Sequence, residues 1–198
     1  VFPHVRRFDH MQTGVTELAD IMRRNIRRHP NRDARGAVGQ IAVKGPTTML
    51  GYWNKPEVTA ETIVDGWVMT GDAGYMDEDG FVFLVDRVKD MIVSGGENVY
   101  SAEVENALGQ HPQVATSAVI GIPSDQWGES VHALVILHAG ATVTTEELQA
   151  HCHELIAGYK CPRSIEYRTE PFPLSGANKV LKTELRKPYW QGKRRQIS

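Results

Sequence analysis

Short strand patterns alternate with short helix patterns along most of this sequence, and that alternation limits the folds the chain can adopt. Strands are predicted at residues 40–43, 66–69, 81–85, 114–122, 130–138 and 165–168. Helical spacing of apolar residues is predicted for residues 59–63, 101–110, 144–157 and 180–187. Because no long βαβ unit is evident, we predict an α+β fold.

Composition excludes several classes of protein. The 198 residues include 22 basic and 24 acidic side chains, for a net charge of −2, which argues against a general nucleic-acid binder. No apolar run approaches the 18 residues that would indicate a transmembrane helix. The two cysteines are too few for a disulfide framework or a four-thiolate zinc site, so a reducing compartment, the cytoplasm, is predicted.

The N-terminal segment differs from the rest in charge. Residues 1–34 carry seven arginines against four acids, and residues 15–28 have the apolar spacing of an amphipathic helix. A basic amphipathic helix can lie on a membrane surface, so peripheral membrane attachment stays open as an alternative. A solvated face, or one packed on a domain, is the favoured interpretation.

A change of pattern near Lys89 suggests four regions. We predict an N-terminal segment (1–34), a small mostly-β unit (35–88), a small α+β domain (89–187) and a tail (188–198). The acidic run at residues 77–80 lacks the full spacing of a calcium loop and is interpreted as a hairpin turn. No metal site is predicted in this chain.

Four short motifs could carry chemistry. In Thr70-Gly71-Asp72, a carboxylate after a glycine turn can accept hydrogen bonds from two vicinal hydroxyls, as on a ribose. In Ser175-Gly-Ala-Asn-Lys179, a loop lysine is a mobile positive charge suited to phosphate. Taken alone, the first motif is typical of an ordinary turn and the second of a solvated loop, and these interpretations are favoured.

Of the other two motifs, one lies near the predicted domain boundary at Lys89 and one lies between two predicted strands. Gly95-Gly96 follows the alternating charges of residues 86–90 and allows a backbone to approach a ligand closely. Trp127-Gly-Glu129 lies between predicted strands, where a turn tryptophan packed on the sheet is favoured over a direct role in chemistry.

Taken together, the order and spacing of these motifs resemble the C-terminal part of the adenylate-forming superfamily, and its branch of AMP-forming acyl-CoA synthetases most. The resemblance covers residues 35–187. Its motifs are Gly36-Ala-Val-Gly-Gln-Ile41, Lys44-Gly-Pro46, Gly51-Tyr-Trp-Asn54, Pro56-Glu57, Gly66-Trp67, Thr70-Gly-Asp72, Asp86-Arg-Val-Lys-Asp90, Trp127-Gly-Glu129 and Gly176-Ala-Asn-Lys-Val-Leu-Lys182.

The resemblance implies a role for each site residue. Asp72 is expected to bind the ribose hydroxyls of ATP, and Arg87 to lie over the same ribose. Lys89 matches the hinge, and Gly95 with Gly96 matches the loop that lines the path of coenzyme A. Lys179 matches the lysine of the adenylation step. Many members have Ser-Gly-Lys where this chain has two additional residues, so Lys182 is the alternative.

The resemblance also implies an activity, and it shows that a segment that family members carry is not found in this sequence. The activity is ATP-dependent and Mg²⁺-dependent activation of a carboxylic acid, fatty or aryl, to an acyl-adenylate, followed by transfer to coenzyme A. Residues 14–34 resemble the opening of a full-length member, whereas residue 35 already matches the end of the large domain. The phosphate loop and magnesium segment that members carry between them are found nowhere in the 198 residues.

The sequence alone does not distinguish an internal deletion from an incomplete sequence. Two alternatives to this activity stay open: the chain is a non-catalytic remnant or binding module, or it is part of an enzyme that loads a carrier-protein thiol instead of coenzyme A. The acid pocket belongs to the missing part, so the acid cannot be read from this sequence, and neither can the oligomeric state.

Overall fold

A computed structural model describes residues 38–46, 48–79 and 81–192. Within them the chain forms two units, divided between Leu84 and Val85, and each combines a sheet with at least one helix. The predicted α+β class is confirmed. The predicted helix at residues 15–28 and residues 193–198 of the predicted tail lie outside the described residues. None of the helices in the described ranges is long and apolar enough to cross a membrane.

The first unit is built around one long central strand. Its elements are β1 (Gly39–Val43), α1 (Pro56–Thr62), β2 (Ile63–Val64), β3 (Trp67–Met76) and β4 (Val82–Arg87), the last of which runs on into the second unit. Strand β3 pairs with β1, β2 and β4. Pro56 starts α1 because a proline at the first helical position lacks only an amide that the helix would leave unbonded. The acidic run is the predicted turn: Asp77 and Phe81 exchange hydrogen bonds across it.

The second unit contains a five-stranded sheet and three helices. Its elements are β5 (Ile92–Ser94), β6 (Glu97–Val99), α2 (Ser101–Gly109), β7 (Val114–Ser124), β8 (Gly128–Leu137), α3 (Thr145–Leu155), β9 (Ser164–Tyr167) and α4 (Lys182–Arg186). Strand order is β6-β5-β8-β7, and β9 also pairs with β8. A core that includes Ile92, Leu108, Val119 and Leu148 is fully buried where α2 and α3 cover the sheet.

Strands β8 and β9 are parallel, which the sequence pattern did not predict. They are joined through α3, so the unit contains one βαβ crossover, and the expectation that none is present was wrong. Apolar spacing predicts which residues face the core but not the direction in which a strand runs. The crossover therefore depends on tertiary packing, which the local sequence pattern does not predict.

Helix α3 begins as predicted and ends earlier. Thr144 accepts a hydrogen bond from the Glu147 amide, and the Glu147 carboxylate accepts one from the Thr144 amide, which completes the capping box. Leu148 and Cys152 are buried as predicted, but Leu155 is 45% exposed. The chain becomes extended at Ile156, so Leu155 ends the helix and does not face the core.

Helix α4 is shorter than the predicted residues 180–187. Val180 pairs with Leu174 in an isolated β-bridge, which closes the preceding loop and delays the start of the helix until Lys182. Leu185 is buried against β7 and Arg186 is also buried, so a five-residue helix is held in place by packing rather than by its own length.

Candidate active site

Asp72 lies in a bulge of β3. Gln40 pairs with Ala73 and Ala42 with Met69, so residues 70–72 stand opposite the single residue Ile41. The Thr70 hydroxyl donates to the Ile41 carbonyl (2.8 Å) and accepts from the Asp72 amide (3.1 Å). Gly71 has φ +77°, a conformation that favours glycine. Each residue of the motif therefore has a local structural task, and the bulge orients the half-buried Asp72.

The predicted hinge is a short turn between two strands. Strand β4 ends at Arg87, and residues Val88–Asp90 form a single 3₁₀ turn, closed by the Met91 amide donating to the Val88 carbonyl at 3.3 Å. Arg87 and Lys89 are both exposed. Asp90 is bound from the other side by Arg186 of α4, with 3.0 Å between Oδ1 and Nη2. The turn is therefore tied to the C-terminal helix.

Asp86, the residue before Arg87, is bound to helix α2. Its Oδ2 accepts from the Ser101 hydroxyl (2.7 Å) and from the Ala102 amide (3.1 Å), and its Oδ1 accepts from the Arg87 amide (2.7 Å). A carboxylate that receives amides at the first turn of a helix is stabilised by the helix dipole. Asp86 thus caps α2 from a distant part of the sequence.

Lys182, the alternative adenylation lysine, is bound inside the second unit. Its ammonium lies 2.6 Å from the Ser101 hydroxyl and 2.7 Å from Glu105 Oε1. Glu105 Oε1 also accepts from the Val119 amide at 2.7 Å. Burial raises the pKa of Glu105, and the nearby Lys182 charge partly opposes that shift. Lys182 is therefore a structural cation, with its side chain only 12% exposed.

Lys179 is exposed on a closed loop. The Ser175 amide donates to the Lys179 carbonyl (2.8 Å), the Asn178 amide donates to the Ser175 carbonyl (2.9 Å), and the Lys179 amide donates to the Ser175 hydroxyl (3.2 Å). Asn178 has φ +58°, which asparagine tolerates better than most residues. The two additional residues, Ala177 and Asn178, are exposed in this turn.

The Gly95-Gly96 loop connects β5 to β6 and packs against Trp127. The Gly95 amide donates to the Trp127 carbonyl (2.9 Å), and a Cβ on Gly95 would lie 2.9 Å from the Trp127 ring. Arg163 stacks on the same ring, with its guanidinium carbon 4.7 Å from the ring centroid, and donates to the Ser94 hydroxyl at 2.9 Å. Trp127 is thus the turn tryptophan that the sequence favoured, and it supports the glycine loop.

The second unit brings some predicted residues into one network and leaves others separate. Asp86, beside Arg87, shares Ser101 with Lys182, and α4 holds the turn that carries Lys89. Asp72 lies in the first unit. Sequence reasoning missed Ser101, Glu105, Arg163 and Arg186. The spacing of Ser101 and Glu105, four residues apart on α2, was a usable signal, because it puts both on one helix face.

A magnesium ion needs several oxygen ligands that converge on one point. Among the described residues, no group of three or more histidine, cysteine, aspartate or glutamate side chains is arranged to hold a metal ion.

Comparison with known proteins defines the class of the second unit. Residues 103–179 match the family described as the AMP-binding enzyme C-terminal domain. The matched range spans most of α2, the three strands β7 to β9, helix α3 and the loop up to Lys179.

The chain is also similar to several ligases and to a solved synthetase. It is 44% identical over 163 residues to the fatty acid–[acyl-carrier-protein] ligase ScoC of Streptomyces coeruleorubidus, covering 82% of this chain and 31% of that protein. It is 48% identical over 147 residues to a long-chain-fatty-acid–CoA ligase of Bacillus subtilis, covering 74% and 26%. The solved o-succinylbenzoate CoA synthetase of Bacillus subtilis, in complex with its acyl-adenylate intermediate, matches with TM-score 0.71 and 40% identity, covering 76% and 31%.

The predicted resemblance to the C-terminal part of an AMP-forming acyl-CoA synthetase of the adenylate-forming superfamily is therefore confirmed. The chain spans about a third of the length of the relatives it matches.

Proposed function

We propose that this chain serves as the C-terminal part of a ligase that activates a carboxylic acid with ATP and transfers the acyl group to coenzyme A. In the first step a carboxylate oxygen bonds to the α-phosphorus of ATP, the bond to the β-phosphate bridge breaks, and pyrophosphate leaves. In the second step the thiol sulfur attacks the acyl carbon and AMP leaves as the thiol loses its proton. The relatives support this proposal, since they include a CoA ligase and a complex with an acyl-adenylate.

The observation that carries the proposal is the contrast between the two lysines. Lys179 is exposed at the end of the matched range, on a loop closed by backbone hydrogen bonds, whereas the Lys182 ammonium is bound within the unit. A positive charge held by a rigid loop can stabilise the charge that develops as two anions approach each other. Such a contact is typically worth about 3 kcal/mol.

The remaining roles divide between nucleotide and thiol. Asp72, in its bulge, would accept hydrogen bonds from the ribose hydroxyls, and Arg87 would lie over the same ribose. The domain of residues 89–187 would turn about Lys89, so that Lys179 acts in the first step and the Gly95-Gly96 loop faces the thiol in the second. A different surface of the domain would thus face the reacting groups in each step.

A carrier-protein thiol is a second candidate for the acceptor. It is supported by a relative that is an acyl-carrier-protein ligase, 44% identical over 82% of this chain. Comparing coenzyme A with a phosphopantetheinylated carrier protein as acceptor would separate the two candidates.

The function can be tested in a chimera and in the chain alone. Residues 36–192 would replace the matching segment of the Bacillus subtilis o-succinylbenzoate CoA synthetase, which supplies the large domain and the acid pocket. We expect o-succinylbenzoate-dependent exchange of pyrophosphate into ATP and formation of the CoA thioester. The chain alone, given ATP, coenzyme A and the acid, should not turn over. If the chimera folds and binds acyl-adenylate but performs neither step, the catalytic proposal is wrong and the remnant interpretation is favoured.

A further inference from the structure

Two cations on helix α4 are linked to the two acids that flank the predicted hinge, one directly and one through a serine hydroxyl. Lys182 and Arg186 lie four residues apart, on one face of the helix. Asp86 and Asp90 are also four residues apart, on either side of Arg87 and Lys89. Lys182 reaches Asp86 through the Ser101 hydroxyl, and Arg186 binds Asp90 directly. We call Lys182, Arg186 and these contacts the α4 clip.

The contacts of the α4 clip are short and largely withdrawn from water. Ser101 is fully buried, and its hydroxyl lies 2.6 Å from the Lys182 ammonium and 2.7 Å from Asp86. The side chains of Arg186 and Asp90 are 8% and 13% exposed. Ion pairs of this kind hold geometry well, because loss of one partner leaves a charge in a poorly hydrated place.

The α4 clip also fixes the loop that carries Lys179. Only Val180 and Leu181 separate Lys179 from Lys182. The Leu181 amide donates to the Pro173 carbonyl (2.8 Å) and Val180 pairs with Leu174, so both sides of the loop are joined just before the clip. The loop has little freedom to move relative to α4, and α4 has little freedom relative to Asp86 and Asp90.

We propose that Lys182 and Arg186 are positioning residues for the adenylation step. Through the α4 clip they set where the Lys179 ammonium lies relative to the turn that carries Lys89. Lys182 thus acts on the reaction through Lys179, so two lysines three positions apart have different tasks. This inference rests on the proposed roles of Lys179 and Lys89.

The geometry can be tested in the 198-residue chain without any assay of activity. Spin labels on Lys89→Cys and Lys179→Cys, both at exposed positions, would report their separation by double electron–electron resonance. The native Cys152 and Cys161 are buried, which limits unwanted labelling. We expect one narrow distance distribution that at least doubles in width with Lys182→Met or Arg186→Met. With Lys182→Arg, which keeps the positive charge, the distance distribution should stay narrow.

A matched control lies next to the same helix. Lys187 pairs with Glu184 at 2.7 Å, but its side chain is 67% exposed and takes no part in the α4 clip. Lys187→Met should leave the distribution unchanged. If Lys182→Met fails to fold, Ser101→Ala removes the link to Asp86 while leaving Lys182 beside Glu105, and it should broaden the distribution too. Narrow distributions in folded Lys182→Met, Arg186→Met and Ser101→Ala would overturn the proposal.

The chimera supplies the functional readout. Lys182→Met should slow ATP–pyrophosphate exchange at least tenfold, while thioester formation from supplied acyl-adenylate stays within threefold. Lys182→Arg should recover most of the exchange, and Lys187→Met should match the parent. If Lys179→Ala slows exchange but the clip variants do not, the α4 clip has no positioning role. If Lys179→Ala has no effect, the proposed function itself fails.

Discussion

Lys179 and Lys182 are three residues apart, and their side chains have opposite environments. The Lys182 ammonium contacts Ser101 and Glu105, while Lys179 is exposed, and none of the hydrogen bonds or ion pairs found within the described part of the chain involves its ammonium. The sequence could not choose between the two, because both are lysines near the same turn. The surroundings of each side chain favour Lys179 as the residue that meets substrate.

Chemical modification of the chain should reproduce this difference. An amine-reactive acetylating reagent at limiting concentration should modify Lys179 at least tenfold faster than Lys182, since an ammonium held by a carboxylate and a hydroxyl reacts slowly. Peptide mass spectrometry over a time course gives both rates from one sample. Lys187, which is also exposed, is the internal reference and should react nearly as fast as Lys179. Equal rates at Lys179 and Lys182 would contradict the assignment.

The two loop glycines should differ in their tolerance of a side chain. Gly95 and Gly96 have φ of +62° and +84°, so alanine at either should cost roughly 1–2 kcal/mol in backbone strain. Only at Gly95 would the new Cβ also meet the Trp127 ring, at 2.9 Å. Urea unfolding should therefore show Gly95→Ala to be the less stable variant. The same loss for both would mean that Trp127 does not pack on the loop as described.

Substitution of Asp72 should lower the efficiency with which ATP is used, and not only the stability of the protein. In the chimera, Asp72→Ala would remove the two charge-assisted hydrogen bonds that we propose to ribose, each worth roughly 1.5–3 kcal/mol, so kcat/KM for ATP should fall at least tenfold. Glu78→Ala, in the exposed turn of the same unit, is the control and should leave kcat/KM unchanged. Unchanged KM and kcat for ATP in Asp72→Ala would refute the ribose-binding role.

Stability of the chain should depend on pH through His132. Its ring nitrogens lie 2.7 Å from the Ser164 hydroxyl and 3.1 Å from the Tyr189 hydroxyl, and burial lowers its pKa below 6.5 despite the nearby Glu166. The unfolded chain therefore takes up a proton at higher pH than the folded chain, and stability present above about pH 6.5 is lost as pH falls.

The test compares the free energy of unfolding in urea at pH 7.5 and pH 5.5. The decrease should be smaller in His132→Gln than in His153→Gln, a matched variant at an exposed position. A decrease of the same size in both variants would show that His132 does not contribute to the dependence on pH.

Local features of the fold were predictable because neighbouring residues determine them. The capping box of Thr144 and Glu147 and the turn at residues 77–81 both depend on contacts within five residues. The motif Thr70-Gly71-Asp72 was recognised, but its form as a bulge depends on pairing with Ile41, 29 residues earlier.

The network of the second unit could not be predicted, because its residues are distant from one another in the sequence. Asp86, Ser101 and Lys182 come together over 96 positions of sequence, and each alone is an ordinary polar residue. The parallel pairing of β9 with β8 likewise depends on how α3 crosses the sheet. Contacts between residues so far apart in the sequence depend on tertiary packing, which a local sequence pattern does not predict.

The central claim is that Lys179 acts in the adenylation step and that the domain turns about Lys89 between the two steps. It predicts opposite defects in two variants of the chimera. Lys179→Ala should slow adenylation by a few hundredfold, because the charge acts on the transition state. Lys89→Pro should spare adenylation and slow thioester formation, since a fixed φ hinders rotation at the hinge.

The measurement that tests this claim most directly is the rate of each half-reaction in each variant, by ATP–pyrophosphate exchange and by thioester formation from synthetic acyl-adenylate. The account predicts that Lys179→Ala loses exchange and keeps thioester formation, and that Lys89→Pro does the reverse. Equal loss of both steps in Lys179→Ala, or an adenylation defect confined to Lys182→Ala, would contradict it.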